Sequence, residues 1–173
     1  MTASLITRGP FSTHEVMSDS FSETQSLGEK IGRKLGTKFI IGLSGELGSG
    51  KTSFVQGLAK GLDVPENYYI TSPTYSIIHE YPGRIPLFHI DLYRVRVKDE
   101  IYETGLYEML DRFGIFAIEW PDLLIKDLPA DYLAIHFKIN DDDTRKISFK
   151  AHGAKAEEVI KVVNREEAIG NRQ

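Results

Sequence analysis

The run Gly45-Glu46-Leu47-Gly48-Ser49-Gly50-Lys51-Thr52 satisfies G-x-x-x-x-G-K-[ST] at every fixed position. Few short strings constrain a fold so strongly, because the chemistry behind this one demands a particular setting. Glycines admit positive φ and let backbone N–H groups face inward, which makes a concave site for an anion. A helix must begin as the loop ends, so that its unpaired N–H groups and the positive end of its dipole add to the same field. Lys51 then sets a point charge against the β- and γ-phosphates of a nucleotide, and the Thr52 hydroxyl takes one position on an octahedral magnesium ion. The flanks supply that setting. Residues 39–43 (FIIGL) are an apolar run suited to a strand buried on both faces, and residues 52–60 carry Phe54, Val55, Leu58 and Ala59 at helical spacing before Gly61. Chance would place the string in a chain of this length roughly once in a hundred trials or fewer.

A magnesium–nucleotide site also needs carboxylates at the ends of neighbouring strands. Asp91 closes the strand-like run 85–90 and Glu119 closes 115–118. The uninterrupted apolar strand leading into Glu119 makes it the stronger Walker-B-like candidate. Ser72-Pro73-Thr74 lies where many P-loop enzymes keep a nucleotide-sensing switch, and it reads equally well as a plain turn. Tyr93 and Arg94 suit phosphate stabilisation, a partner surface or an ordinary surface pair. His79 and His89 fall within strands without zinc-ligand spacing, and His79 reads as a hydrogen-bonded structural residue. Asp111-Arg112-Phe113-Gly114 spells the D-x-x-G of a GTPase, but it falls at a predicted helix end and no N-K-x-D follows.

The rest of the chain fits one α/β domain of 173 residues with a mixed, largely parallel sheet flanked by helices. A first helix starts at Ser20 or Ser22, repeats Leu27, Ile31 and Leu35, and meets Gly36 in the C-cap position. Residues 75–81 and 85–93 flank Pro82-Gly83-Arg84 as a hairpin, and residues 99–112 suit a helix that Gly105 weakens. A second hairpin, 132–139 with 146–151, turns at the acidic tip 141–143 before a charged helix over 154–169. Residues 1–19 admit an edge strand at 4–7 or 14–17, or partial disorder. The expected organisation is a variable segment 1–20, a P-loop domain 21–153 and a C-terminal helix 154–173 packed on the same domain. Composition narrows the chemistry. The net charge is −4, which argues against bulk electrostatic gripping of a nucleic acid. With no cysteine, disulfides, thiolate nucleophiles and Cys-ligated metals are excluded. Neither a signal peptide nor a membrane span is read, so the expected setting is the cytoplasm, with no membrane partner.

The segments LSGELGSGKTSFVQGLAKGL, SPTYSIIHEY, LFHIDLYR and AIEWPD, in this order and spacing, resemble the TsaE family, the P-loop ATPases of bacterial tRNA threonylcarbamoyladenosine biosynthesis. The likeness runs over about residues 21–151, and H-x-D-x-Y-R followed by I-E-W-P is its specific part. Glu46, Ser49 and Ser53 depart conservatively from the family's usual loop. The resemblance implies a small P-loop domain that binds ATP or ADP with Mg2+ through Gly48, Ser49, Gly50, Lys51, Thr52 and Ser53. It implies Thr52 and Glu119 at the metal, and Asp91 as a second acidic site residue, with Lys51, Asp91 and Glu119 catalytic. Thr24 and Arg145 resemble further nucleotide contacts. The implied role is slow ATP hydrolysis that resets a TsaB–TsaD complex, with tRNA engaged only indirectly. A small-molecule kinase is the alternative, although no Arg-bearing lid or acceptor pocket is read.

Overall fold

The computed structural model describes residues 12–170. Among them, strands β1 (Thr13–Ser18), β2 (Phe39–Gly45), β3 (Ile78–Tyr81), β4 (Leu87–Asp91), β5 (Ile115–Glu119), β6 (Tyr132–Ile139) and β7 (Arg145–His152) form one sheet in the order β1-β7-β6-β2-β5-β4-β3. The centre of the sheet, β6-β2-β5-β4, is parallel, and the edges β3, β7 and β1 join antiparallel. This is the mixed α/β sheet expected from the sequence. Of the two N-terminal strand readings, 14–17 holds as part of β1, and 4–7 lies outside the described residues.

Helices α1 (Phe21–Lys34), α2 (Lys51–Gly61) and α5 (Ala154–Gly170) cover one face. Ile31, Phe54 and Leu58 pack there with Ile41, Leu43, Ile135 and Phe137. The short helices α3 (Lys98–Glu103) and α4 (Leu106–Leu110) cover the other face, with a 3-10 turn at Pro121–Leu123. Ile101, Leu106 and Leu124 meet Ile40, Ile90 and Ile118 on that side, and the rings of Phe88 and Phe116 stack 4.7 Å apart. With layers on both sides, β4 and β5 bury every residue, which is why β5 reads as a continuous apolar run ending in a carboxylate and β4 as one interrupted only by His89.

Ser20 caps α1 by accepting the Glu23 N–H at 3.2 Å, so the first of the two predicted starts is the observed one. The other end departs from expectation. Gly36 is not in the left-handed conformation, and Leu35 closes the helix in an extended one. Arg84, in the predicted turn between β3 and β4, does the capping instead. Its guanidinium donates to the carbonyls of Leu35 (2.7 Å) and Gly32, and reaches that of Gly61 at 3.4 Å. One cation thus serves the negative ends of both α1 and α2.

The two helices approach unusually closely. A Cβ on Gly57 would stand 1.8 Å from the Gln25 carbonyl oxygen, and one on Gly28 would stand 2.2 Å from that of Phe54. Only glycine permits this backbone contact. Two further expectations need correction. Residues 99–112 do not form one helix, because Gly105 turns left-handed (φ +71°) and divides α3 from α4. The first strand of the hairpin starts at Ile78 rather than Tyr75, since Ile77 itself takes φ +67° and closes a preceding turn.

Candidate active site

β2 runs out at Gly45 and α2 begins at Lys51, so the loop between them is the predicted strand–loop–helix connection. Gly45, Gly48 and Gly50 have φ of +135°, +75° and +109°, where a side chain would be strained. Lys51 is 4% exposed, and its Nζ donates to the carbonyls of Gly45 and Glu46, both at 2.7 Å. The ammonium also lies 4.4 Å from the centroid of the Trp120 ring. Burial pushes the Lys51 pKa down, and the nearby Glu119 and Asp91 carboxylates pull it back up.

The carboxylates come from adjacent strands. Asp91 and Glu119 are register partners at the carboxyl ends of β4 and β5, and both are 3% exposed. Two buried like charges side by side repel, so the site must supply compensation. Thr52 Oγ1 donates to Glu119 Oε1 at 3.0 Å, and His89 Nε2 lies 2.8 Å from the same oxygen. Asp91 Oδ2 accepts from the hydroxyls of Ser72 and of Thr74 (3.0 Å), and Oδ1 accepts the Tyr93 N–H at 2.9 Å. The Asp91 N–H donates to the Ile77 carbonyl. The loop 72–77 is therefore strapped to Asp91 by side chain and backbone, and it holds a β-branched residue at positive φ.

An open cleft of about 220 Å³ gathers Gly48, Gly50, Lys51, Thr52, Ser53 and Glu119, with Ser72, Thr74, Trp120 and Phe21 around them. The donor set fits magnesium. A hydroxyl beside one or two carboxylates is its usual protein share, the remainder coming from phosphates and water. Among the described residues no group of three or more His, Asp or Glu side chains forms a separate metal cage.

Other predicted residues fall around this cleft. Thr24 is fully buried at the start of α1, bonded to Ser18 Oγ at 2.8 Å, and its methyl lies 3.7 Å from where a Gly50 Cβ would stand. Ser49, in the loop, is fully buried as well. Arg145 does not line the cleft, and its guanidinium stacks 4.5 Å from the Phe21 centroid, which does. Tyr93 packs on Trp120 at 5.1 Å and Arg94 on the exposed Tyr75 at 4.8 Å. His79 bonds Ser76 and Tyr81, in its structural role. Sequence reasoning gave no site role to His89, Trp120 or Phe21. For His89 the signal was available, since it stands two residues before Asp91 and therefore on the same face of its strand.

Known proteins resemble this chain in both sequence and fold. The family described as threonylcarbamoyl adenosine biosynthesis protein TsaE matches residues 18–147. The tRNA threonylcarbamoyladenosine biosynthesis protein TsaE of Bacillus subtilis is 38% identical over 133 residues, covering 76% of this chain and 82% of its own. That of Treponema pallidum is 35% identical over 132 residues, 76% of this chain and 96% of its own. The crystal structure of Bacillus subtilis YdiB superposes with a TM-score of 0.77 at 29% identity, covering 91% of this chain and 98% of that one. The protein thus belongs to the TsaE family of tRNA threonylcarbamoyladenosine biosynthesis.

Proposed function

We propose that this TsaE-family chain is a magnesium-dependent ATPase whose nucleotide state governs its binding to TsaB and TsaD, resetting that complex between rounds of tRNA modification. The observation that carries the reading is the convergence of Lys51, Thr52 and Glu119 on one cleft, with Asp91 beside Glu119 in register and tied to the cleft-lining Ser72 and Thr74 of the loop 72–77. In this reading the glycine loop, with Ser49 and Ser53, cradles the phosphates of ATP or ADP, and Lys51 neutralises the β- and γ-phosphates. Thr52 and Glu119 hold magnesium, which when bound neutralises charge on the phosphates. Asp91 positions the loop, and Ser72 and Thr74 are the hydroxyls whose bonds a γ-phosphate would compete for. Hydrolysis then removes that competitor and returns the hydroxyls to Asp91, a local electrostatic change read out at the surface near Tyr75 and Arg94. Thr24 and Arg145 support the nucleotide from α1 and β7, Arg145 by fixing Phe21.

The tRNA itself stays outside this chain's grip, in keeping with its net charge of −4. No helix among the described residues is long and apolar enough to cross a membrane, and the proposed place of action is the cytoplasm. Mixing the protein with TsaB and TsaD tests the partner assignment by size-exclusion chromatography. A complex that forms with ATP and weakens with ADP is the expected result. Absence of any ATP-dependent complex, or transfer of phosphate to a metabolite instead, would overturn it in favour of a different P-loop enzyme.

A further inference from the structure

We propose that His89 is a positioning residue for Glu119, fixing that carboxylate so that its second oxygen faces the magnesium side of the cleft. The inference rests on the magnesium role proposed for Glu119. His89 is fully buried, and its Nε2 lies 2.8 Å from Glu119 Oε1. A carboxylate only accepts at this position, so Nε2 carries the proton. Strand register makes the contact diagonal. His89 lies opposite Ala117, and Glu119 opposite Asp91, so the imidazole leans along the strand across the small Ala117 side chain. Thr52 donates to the same Oε1 at 3.0 Å, leaving both described bonds on one oxygen and the carboxylate plane fixed.

The ring is not knitting the core together by other means. Its Nδ1 is buried and has no hydrogen-bond partner among the described residues. A buried imidazole with one nitrogen unsatisfied is unfavourable where an aliphatic side chain would fit. The bond to Glu119 is what that arrangement retains. Ligand-holding carboxylates are commonly oriented by such outer partners, whose loss lowers metal affinity roughly ten- to a hundredfold.

The test compares His89→Leu, His89→Gln and His89→Asn with Glu119→Gln. Glutamine places a donor near the Nε2 position, whereas asparagine is equally polar but too short to reach Oε1. Three readouts are taken: calorimetric Mg2+ affinity of the ADP-bound protein, ADP affinity without Mg2+, and thermal midpoint. We expect His89→Leu and His89→Asn to weaken Mg2+ roughly tenfold or more, with metal-free ADP affinity unchanged and His89→Gln close to wild type. Equal Mg2+ affinities for the Gln and Asn variants would overturn the proposal, and this comparison decides even if the Leu variant does not fold. If Glu119→Gln weakens Mg2+ but the His89 variants do not, only the His89 inference fails. If Glu119→Gln leaves Mg2+ affinity unchanged, the magnesium role of Glu119 fails first and the inference with it.

Discussion

Lys51 carries a cation into a nearly solvent-free position, held by two loop carbonyls and covered by the Trp120 ring. Its pKa is lowered by burial from the ordinary 10.5, so it loses its proton earlier than a free lysine as pH rises. In the proposed function the cationic form is the one that binds phosphate. Nucleotide affinity should therefore decline on the alkaline side, starting below the usual lysine range, and be retained towards neutral pH. Trp120 is the only tryptophan in the chain and lies against the ammonium, so its fluorescence can report the titration. Lys51→Ala should weaken nucleotide binding by about 3 kcal/mol, roughly a hundredfold in Kd, and abolish the alkaline decline. The loop residues were legible because their chemistry requires fixed types at fixed spacing. Trp120 was not, since its indole acquires a role only from the Lys51 ammonium that the fold brings beside it, and His89 showed only the strand face it shares with Asp91, not the Glu119 that the neighbouring strand sets beside it.

At the level of elements, the site depends on how α1 and α2 meet. Gly28 and Gly32 on one helix and Gly57 and Gly61 on the other bring their backbones into contact, which sets Thr24 against the phosphate loop at Gly50. Replacing Gly57 by Ala forces a methyl towards the Gln25 carbonyl, where it would stand at 1.8 Å without movement. We expect a loss of about 3 kcal/mol in urea unfolding, and weaker nucleotide binding as α1 shifts. Arg84→Ala removes the shared cap and should lower stability by about 2 kcal/mol, because its bonds to the helix carbonyls are charge-assisted. The apolar strands and the helix around Leu27 and Ile31 were plain in the sequence, since their patterns are local. The cap on α1 was not. Gly36 is the local signal, but Arg84 reaches the same carbonyls from 49 residues away. The break at Gly105 was visible as a weakness in the pattern, and its left-handed backbone explains why it became a division.

Across the whole molecule, parallel strands β4 and β5 end side by side, and that register turns two separate sequence candidates into one acidic pair facing Lys51 and Thr52. The strap from Asp91 to the loop 72–77 then links the cleft to an exposed surface bearing Tyr75 and Arg94. Order along the chain could suggest each part, but not which carboxylate holds which group. The division seen here is Glu119 with Thr52 and His89, and Asp91 with the loop hydroxyls. In the proposed function this pair couples ATP turnover to TsaB and TsaD. The direct test is the steady-state ATP hydrolysis rate of the reconstituted complex, with wild-type protein and with Glu119→Ala. We predict Mg2+-dependent hydrolysis that rises at least about tenfold over the protein alone and is largely lost in Glu119→Ala while ADP binding persists. A partner mixture that leaves the rate unchanged, or a Glu119→Ala complex that hydrolyses ATP normally, would contradict the account.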